Sequence, residues 1–143
     1  MSAVPHQATG IAIGGPAGPR AVLIEGAPGS GKSSLALALI DRGAALVGDD
    51  GVLLERRGER LWALPPPAIE GLLEIRNVGL ARVAAVPAPV ALVIRLDRQA
   101  QRHIDTAERA VLLDAALPLV RLWPDTPALA LRVEWALAMH GLT

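Results

Sequence analysis

Gly26-Ala27-Pro28-Gly29-Ser30-Gly31-Lys32-Ser33 decides the reading of this chain. The octapeptide fits G-x-x-x-x-G-K-[ST], the phosphate-binding P-loop pattern. Lys32 is the only lysine present, and every other basic side chain apart from histidine is arginine. A compact ammonium is thus kept at the one place where a point charge must reach between phosphate oxygens, which a planar guanidinium does not replace. The flanks agree with the pattern. Arg20-Ala21-Val22-Leu23-Ile24-Glu25 reads as a short buried strand. Ser33 to Arg42 reads as a helix stopped by Gly43. Strand, glycine loop and helix form the context in which backbone N–H groups and a helix dipole hold a phosphate.

The remaining elements read outward from this unit. Thr9-Gly10-Ile11-Ala12-Ile13 is a first strand, followed by a glycine- and proline-rich loop over residues 14–19. Ala44 to Gly48 is a strand, and Asp49-Asp50-Gly51 has turn chemistry. Val52–Arg56 and Arg60–Leu64 flank Arg57-Gly58-Glu59 as a hairpin. Leu72–Arg76 and Ala81–Ala84 are short strands around Gly79, and Pro89–Leu96 is a strongly apolar strand. Residues 106–117 read as helical. Leu119–Trp123 is a last strand, and Asp125 or Thr126 caps a closing helix with Pro127 at its first position. The expected fold is an α/β P-loop nucleotide-binding domain with a mixed sheet, in one domain over residues 1–143.

Composition narrows the function. Apolar residues make up 52% of the chain, enough for a core, and without Phe or Tyr that core must be built from Ala, Leu, Val and Ile. Fourteen basic and fourteen acidic residues cancel, so there is no electrostatic footprint for nucleic acid. The absence of Cys excludes disulfides and thiolate zinc sites. No signal peptide is visible, and the uncharged stretch from Val83 to Ile94 is short and broken by Pro87 and Pro89. A cytoplasmic protein without a membrane partner is expected.

The P-loop itself, Gly26, Ala27, Pro28, Gly29, Ser30, Gly31, Lys32, Ser33 and the following Ser34, is the candidate ATP-binding segment. Lys32 would bridge β- and γ-phosphates and Ser33 would ligate Mg²⁺. Asp49 and Asp50 end the strand after the P-loop helix. Sequential strands are usually neighbours, which brings the pair near the phosphates. One carboxylate can face the metal while the other receives a proton. Asp97, after the apolar strand, is the competing candidate. Glu74 and Arg76 alternate with Leu73 and Ile75 and so share one face.

Three stretches in order resemble the catalytic domain of HPr kinase/phosphorylase, which phosphorylates a serine of the phosphocarrier protein HPr. They are the P-loop, the run Leu39-Ile40-Asp41-Arg42-Gly43-Ala44-Ala45-Leu46-Val47-Gly48-Asp49-Asp50, and Leu73-Glu74-Ile75-Arg76-Asn77-Val78-Gly79-Leu80. The last two are similar to that family's "LVADD" strand and "LEIRGLGI" signature. His6 precedes the P-loop strand, as a family histidine does.

The resemblance implies an HPr-like phosphocarrier partner and ATP with Mg²⁺. It further implies Mg²⁺ ligands at Ser33 and Glu74, a general base at Asp50 beside Asp49, and Arg76 in the catalytic segment. His6 would lie near the phosphates, and the assembly would be a homo-oligomer, hexameric by family. It implies a truncated, kinase-leaning member lacking the N-terminal domain. The late "RLG" arginine has no clear match, Arg109 being the nearest candidate. Trp123-Pro124-Asp125-Thr126-Pro127 replaces the "PGRN" segment tied to dephosphorylation. Two alternatives stay open. One is a small-molecule kinase of the adenylate kinase type. The other is a nucleotide-binding regulatory module without transfer activity.

Overall fold

The computed structural model describes residues 3–143. The chain opens with β1 (Val4–His6), β2 (Thr9–Ile13) and β3 (Arg20–Glu25), followed by α1 (Lys32–Asp41) and β4 (Ala45–Gly48). Then come β5 (Val52–Arg57), β6 (Arg60–Leu64), a short 3-10 turn over Pro67–Ile69, β7 (Leu72–Ile75) and β8 (Gly79–Arg82). Last are β9 (Ala88–Leu96), β10 (Glu108–Leu112), β11 (Ala115–Leu122) and α2 (Leu129–His140).

A nine-stranded mixed sheet runs β1-β5-β6-β9-β3-β2-β4, with β11 also on β9 and β10 on β11. β3 and β9 are parallel, as are β9 and β11, whereas β2 is antiparallel to both β3 and β4. β1 leads almost directly into β2, and β4 into β5, yet β1 pairs with β5 while β2 pairs with β4. The two bent segments therefore curl the sheet back on itself. β7 and β8 form a separate hairpin.

The central strands are covered on both faces, so β3 and β9 read as unbroken apolar runs. Val22 and Ile24 point to one core, shared with Leu35, Leu39 and Leu92 and with Val133 and Leu137 of α2. Ala21 and Leu23 point to the other, with Leu54, Leu61, Val93, Leu117 and Leu119. All of the buried core side chains are Ala, Val, Leu or Ile, as the composition requires. In α1, burial of Leu35 and Leu39 fixes its inner face, at about 1.5–3 kcal/mol for each leucine. The helix ends in a Schellman motif. Gly43, at φ 109°, directs its N–H to Ile40 O while Ala44 N–H reaches Leu39 O.

Three expectations are corrected. β4 is not adjacent to β3, because β2 lies between them. Two antiparallel steps still leave β3 and β4 running the same way, so Glu25 and Gly48 end at the same edge of the sheet. Residues 106–117 are not helical but contain β10, a two-residue turn and the start of β11. The turn residues, Leu113 at φ 46° and Asp114 at φ 64°, both adopt positive φ without glycine. That leaves no conventional hairpin signal in the sequence. The closing helix begins at Leu129, two residues after Pro127, and the Thr126 hydroxyl accepts from Ala128 N–H in the turn ahead of it. No helix among the described residues is long and apolar enough to cross a membrane.

Candidate active site

The edge where β3 and β4 end is also where β2 begins, and there the chain forms a cleft of about 840 Å³. Its floor is Gly26 to Gly29, Gly31 to Ser34 and the start of α1. Gly31 caps α1 in a left-handed conformation, φ 98°, with no side-chain hydrogen bond to the helix end. The first N–H groups of α1 are therefore left without a side-chain cap, the arrangement that holds an anion. Gly29 and Gly31 adopt φ values of 77° and 98°, which β-carbon-bearing residues avoid. Lys32 folds back over the loop, donating from Nζ to Gly26 O at 2.9 Å and Ala27 O at 3.3 Å. Ser30 departs from expectation. Its N–H is used by Ala27 O at 3.0 Å, and its hydroxyl is buried with no hydrogen-bond partner.

The carboxylates gather opposite. Ser33 Oγ donates to Asp49 Oδ1 at 2.7 Å. Thr9, fully buried at the start of β2, donates to the same oxygen at 3.4 Å and accepts from Asp50 N–H at 3.1 Å. Glu74 N–H donates to Asp49 Oδ2 at 3.3 Å, tying the β7–β8 hairpin to the site. Both oxygens of Asp49 are thus engaged. Asp50 stands exposed at φ 56°, and its carboxylate makes no hydrogen bond among the described residues. A β-carbon at position 48 would run into Gly51 O, so glycine lets the Asp turn fold back this tightly. Glu74 and Arg76 both line the cleft from the hairpin, while Leu73, beside Glu74 on β7, is fully buried.

His6, at the end of β1, also lines the cleft, as do two residues that the sequence reading missed, Glu25 and Arg95. Glu25 Oε2 bonds His6 Nε2 at 3.1 Å, and Glu25 Oε1 accepts from Arg95 Nη2 at 2.8 Å. The His6 hydrogen bond, with Arg95 behind it, holds the Glu25 carboxyl below the usual carboxylate range against the opposing effect of burial. Glu25 and Arg95 are direct partners across the parallel β3–β9 ladder. In the sequence each is an ordinary charge near the end of an apolar run, and the β3–β9 register is what pairs them. Asp97 and Arg109 do not line the cleft. Asp97 is held by Gln99 N–H and Arg121, and Arg109 is exposed on β10.

These groups suit Mg²⁺ with a polyphosphate: a hydroxyl and carboxylates as hard oxygen donors, with phosphate oxygens and water completing the shell. Ser33, Asp49 and Glu74 are the residues that could hold it.

Strand, glycine cradle and uncapped helix together define a P-loop phosphate-binding domain. The HPr Serine kinase C-terminal domain family matches residues 19–109, and the chain belongs to that family. His6 lies outside the matched segment. The HPr kinase/phosphorylase of Nitrosomonas europaea is 37% identical over 100 residues, covering 64% of this chain and 31% of that protein. The same enzyme from Shouchella clausii is 48% identical over 63 residues, 43% of this chain and 20% of that one. The structure of the Hpr(Ser) kinase/phosphatase from Coxiella burnetii superposes with a TM-score of 0.81 at 28% identity, covering 94% of this chain and 88% of that one. The chain spans less than a third of the length of these curated relatives.

Proposed function

We propose that this chain is an ATP-dependent serine kinase acting on an HPr-like phosphocarrier protein, in a single domain over residues 1–143 in the cytoplasm. The observation that carries the reading is the convergence of Lys32, Ser33, Asp49, Asp50, Glu74, Arg76 and His6, drawn from four separate segments, on one cleft. The cradle and Lys32 bind the phosphates, and Ser33, Asp49 and Glu74 hold Mg²⁺. When bound, the metal neutralises charge on the phosphate oxygens. Asp50, with oxygens uncommitted, accepts the proton of the acceptor seryl hydroxyl as its oxygen bonds to the γ-phosphorus and the bond to the departing ADP breaks. Arg76 offers its guanidinium to charge developing on the phosphoryl oxygens. The cleft is open on the solvent side, which suits a protein loop that brings its own hydroxyl and excludes water on docking. A homo-oligomer, and a bias toward phosphorylation over dephosphorylation, belong to the same reading.

The test is incubation with γ-labelled ATP, Mg²⁺ and purified phosphocarrier proteins, followed by phosphosite mapping. Label on a phosphocarrier serine is expected. Robust phosphorylation of AMP or another small metabolite, with no labelled phosphocarrier serine, would overturn the reading.

A further inference from the structure

Glu25 is the last residue of β3 and stands immediately ahead of the glycine cradle. A carboxylate beside a phosphate site repels the ligand that the site is built to hold. Its partners explain its presence. One oxygen faces His6 from β1 at 3.1 Å, and the other faces Arg95 from β9, at 2.8 Å to Nη2 and 3.3 Å to Nε. These strands are not paired with each other, so Glu25 is what joins them at this edge. The bond to His6 is sheltered, the two side chains being 23% and 18% exposed.

We propose that Glu25 is a positioning residue for phosphoryl transfer, fixing His6 and Arg95 along one wall of the cleft so that both face the transferring group. The inference rests on the kinase reading above. It specifies the imidazole as well. Glu25 is held ionised, so its oxygens only accept, and Nε2 of His6 must carry the hydrogen.

The expected signature separates positioning from scaffolding. Glu25→Gln removes a negative charge beside the phosphates, so Mg-ATP should bind as tightly as before or more tightly. The same change frees His6 and Arg95, so kcat for serine transfer should fall tenfold or more, since misplacement on the order of 1 Å can cost about 10²-fold. Glu25→Asp should recover part of the loss. Adding Glu25→Gln to a His6→Gln/Arg95→Gln background should change kcat less than twofold, because the residues act as one unit. Nitrogen-15 NMR of the full chain should find His6 in the Nε2–H tautomer, and a tautomer mixture in Glu25→Gln. Looser nucleotide binding in step with kcat, or an undiminished loss in the His6/Arg95 background, would overturn the positioning role. Wild-type transfer with unimpaired Glu25→Gln overturns that role alone. A wild-type chain that transfers to no phosphocarrier serine overturns the kinase reading, and the positioning role with it.

Discussion

The Ser33 hydroxyl donates to Asp49 across 2.7 Å, joining the first turn of α1 to the turn after β4. Because Asp49 is committed on both oxygens and Asp50 is not, the adjacent carboxylates carry separable roles. Asp50→Asn should leave Mg-ATP affinity within about twofold and slow serine transfer by roughly 10²-fold, the scale of a lost general base. Asp49→Asn should instead raise the Mg²⁺ concentration needed for half-maximal rate. Steady-state kinetics at varied Mg²⁺ distinguishes the two. A large loss of transfer in Asp97→Asn with none in Asp50→Asn would put the general base at the end of β9 instead.

Lys32 reaches only the Gly26 and Ala27 carbonyls of its own loop, so the fold does not depend on it. Lys32→Ala should unfold within a few degrees of wild type by circular dichroism. Its Mg-ATP affinity or its transfer rate should fall by about 10²-fold or more, as loss of a phosphate-bridging charge predicts. Unchanged binding and turnover would refute the cradle as a nucleotide site.

The chain's acid sensitivity should depend on Glu25. Its folded-state pKa lies below the ordinary value of 4.5. Unfolding therefore raises its proton affinity, and the stabilisation is fully present above about pH 4.5. It disappears as pH falls from there through the lowered folded value. In urea titrations, Glu25→Gln should narrow its stability gap to wild type as pH falls through this window. A gap that stays constant from pH 7 to pH 3 would show that Glu25 contributes nothing through its charge.

The Leu113-Asp114 turn has φ values of 46° and 64°. Leu113→Asn/Asp114→Gly should stabilise the chain by roughly 1 kcal/mol, because asparagine and glycine adopt positive φ at lower cost. The readout is an increase of several degrees in Tm with kcat unchanged. A lower Tm would mean that the Leu113 side chain contributes more than its backbone strain costs.

Elements with local signals were legible in the sequence. Arg20–Glu25 and Thr9–Ile13 are strands with the expected bounds, and the Val52–Leu64 hairpin has glycine in its turn. Ala107 to Leu112 consists largely of good helix formers, and only pairing with β11 makes its core a strand, which is a tertiary effect. The placement of Asp49 came from the rule that consecutive strands neighbour one another. That rule fails here, yet the inserted β2 preserves the common edge. Glu25 and Arg95 went unrecognised because each sits at the end of an apolar strand as an ordinary terminal charge. Only the β3–β9 pairing reveals them as partners.

Thr9 sits in the middle strand of three, and its hydroxyl holds the backbone of Asp50 and the side chain of Asp49 at once. A one-residue slip of β2 would turn that hydroxyl to the opposite face. Strand pairing and catalytic geometry are thus one event. Molecules recovered from denaturant should divide into fully competent and inert ones rather than a uniformly slowed population. Specific activity in a refolded sample would then count correctly zipped sheets.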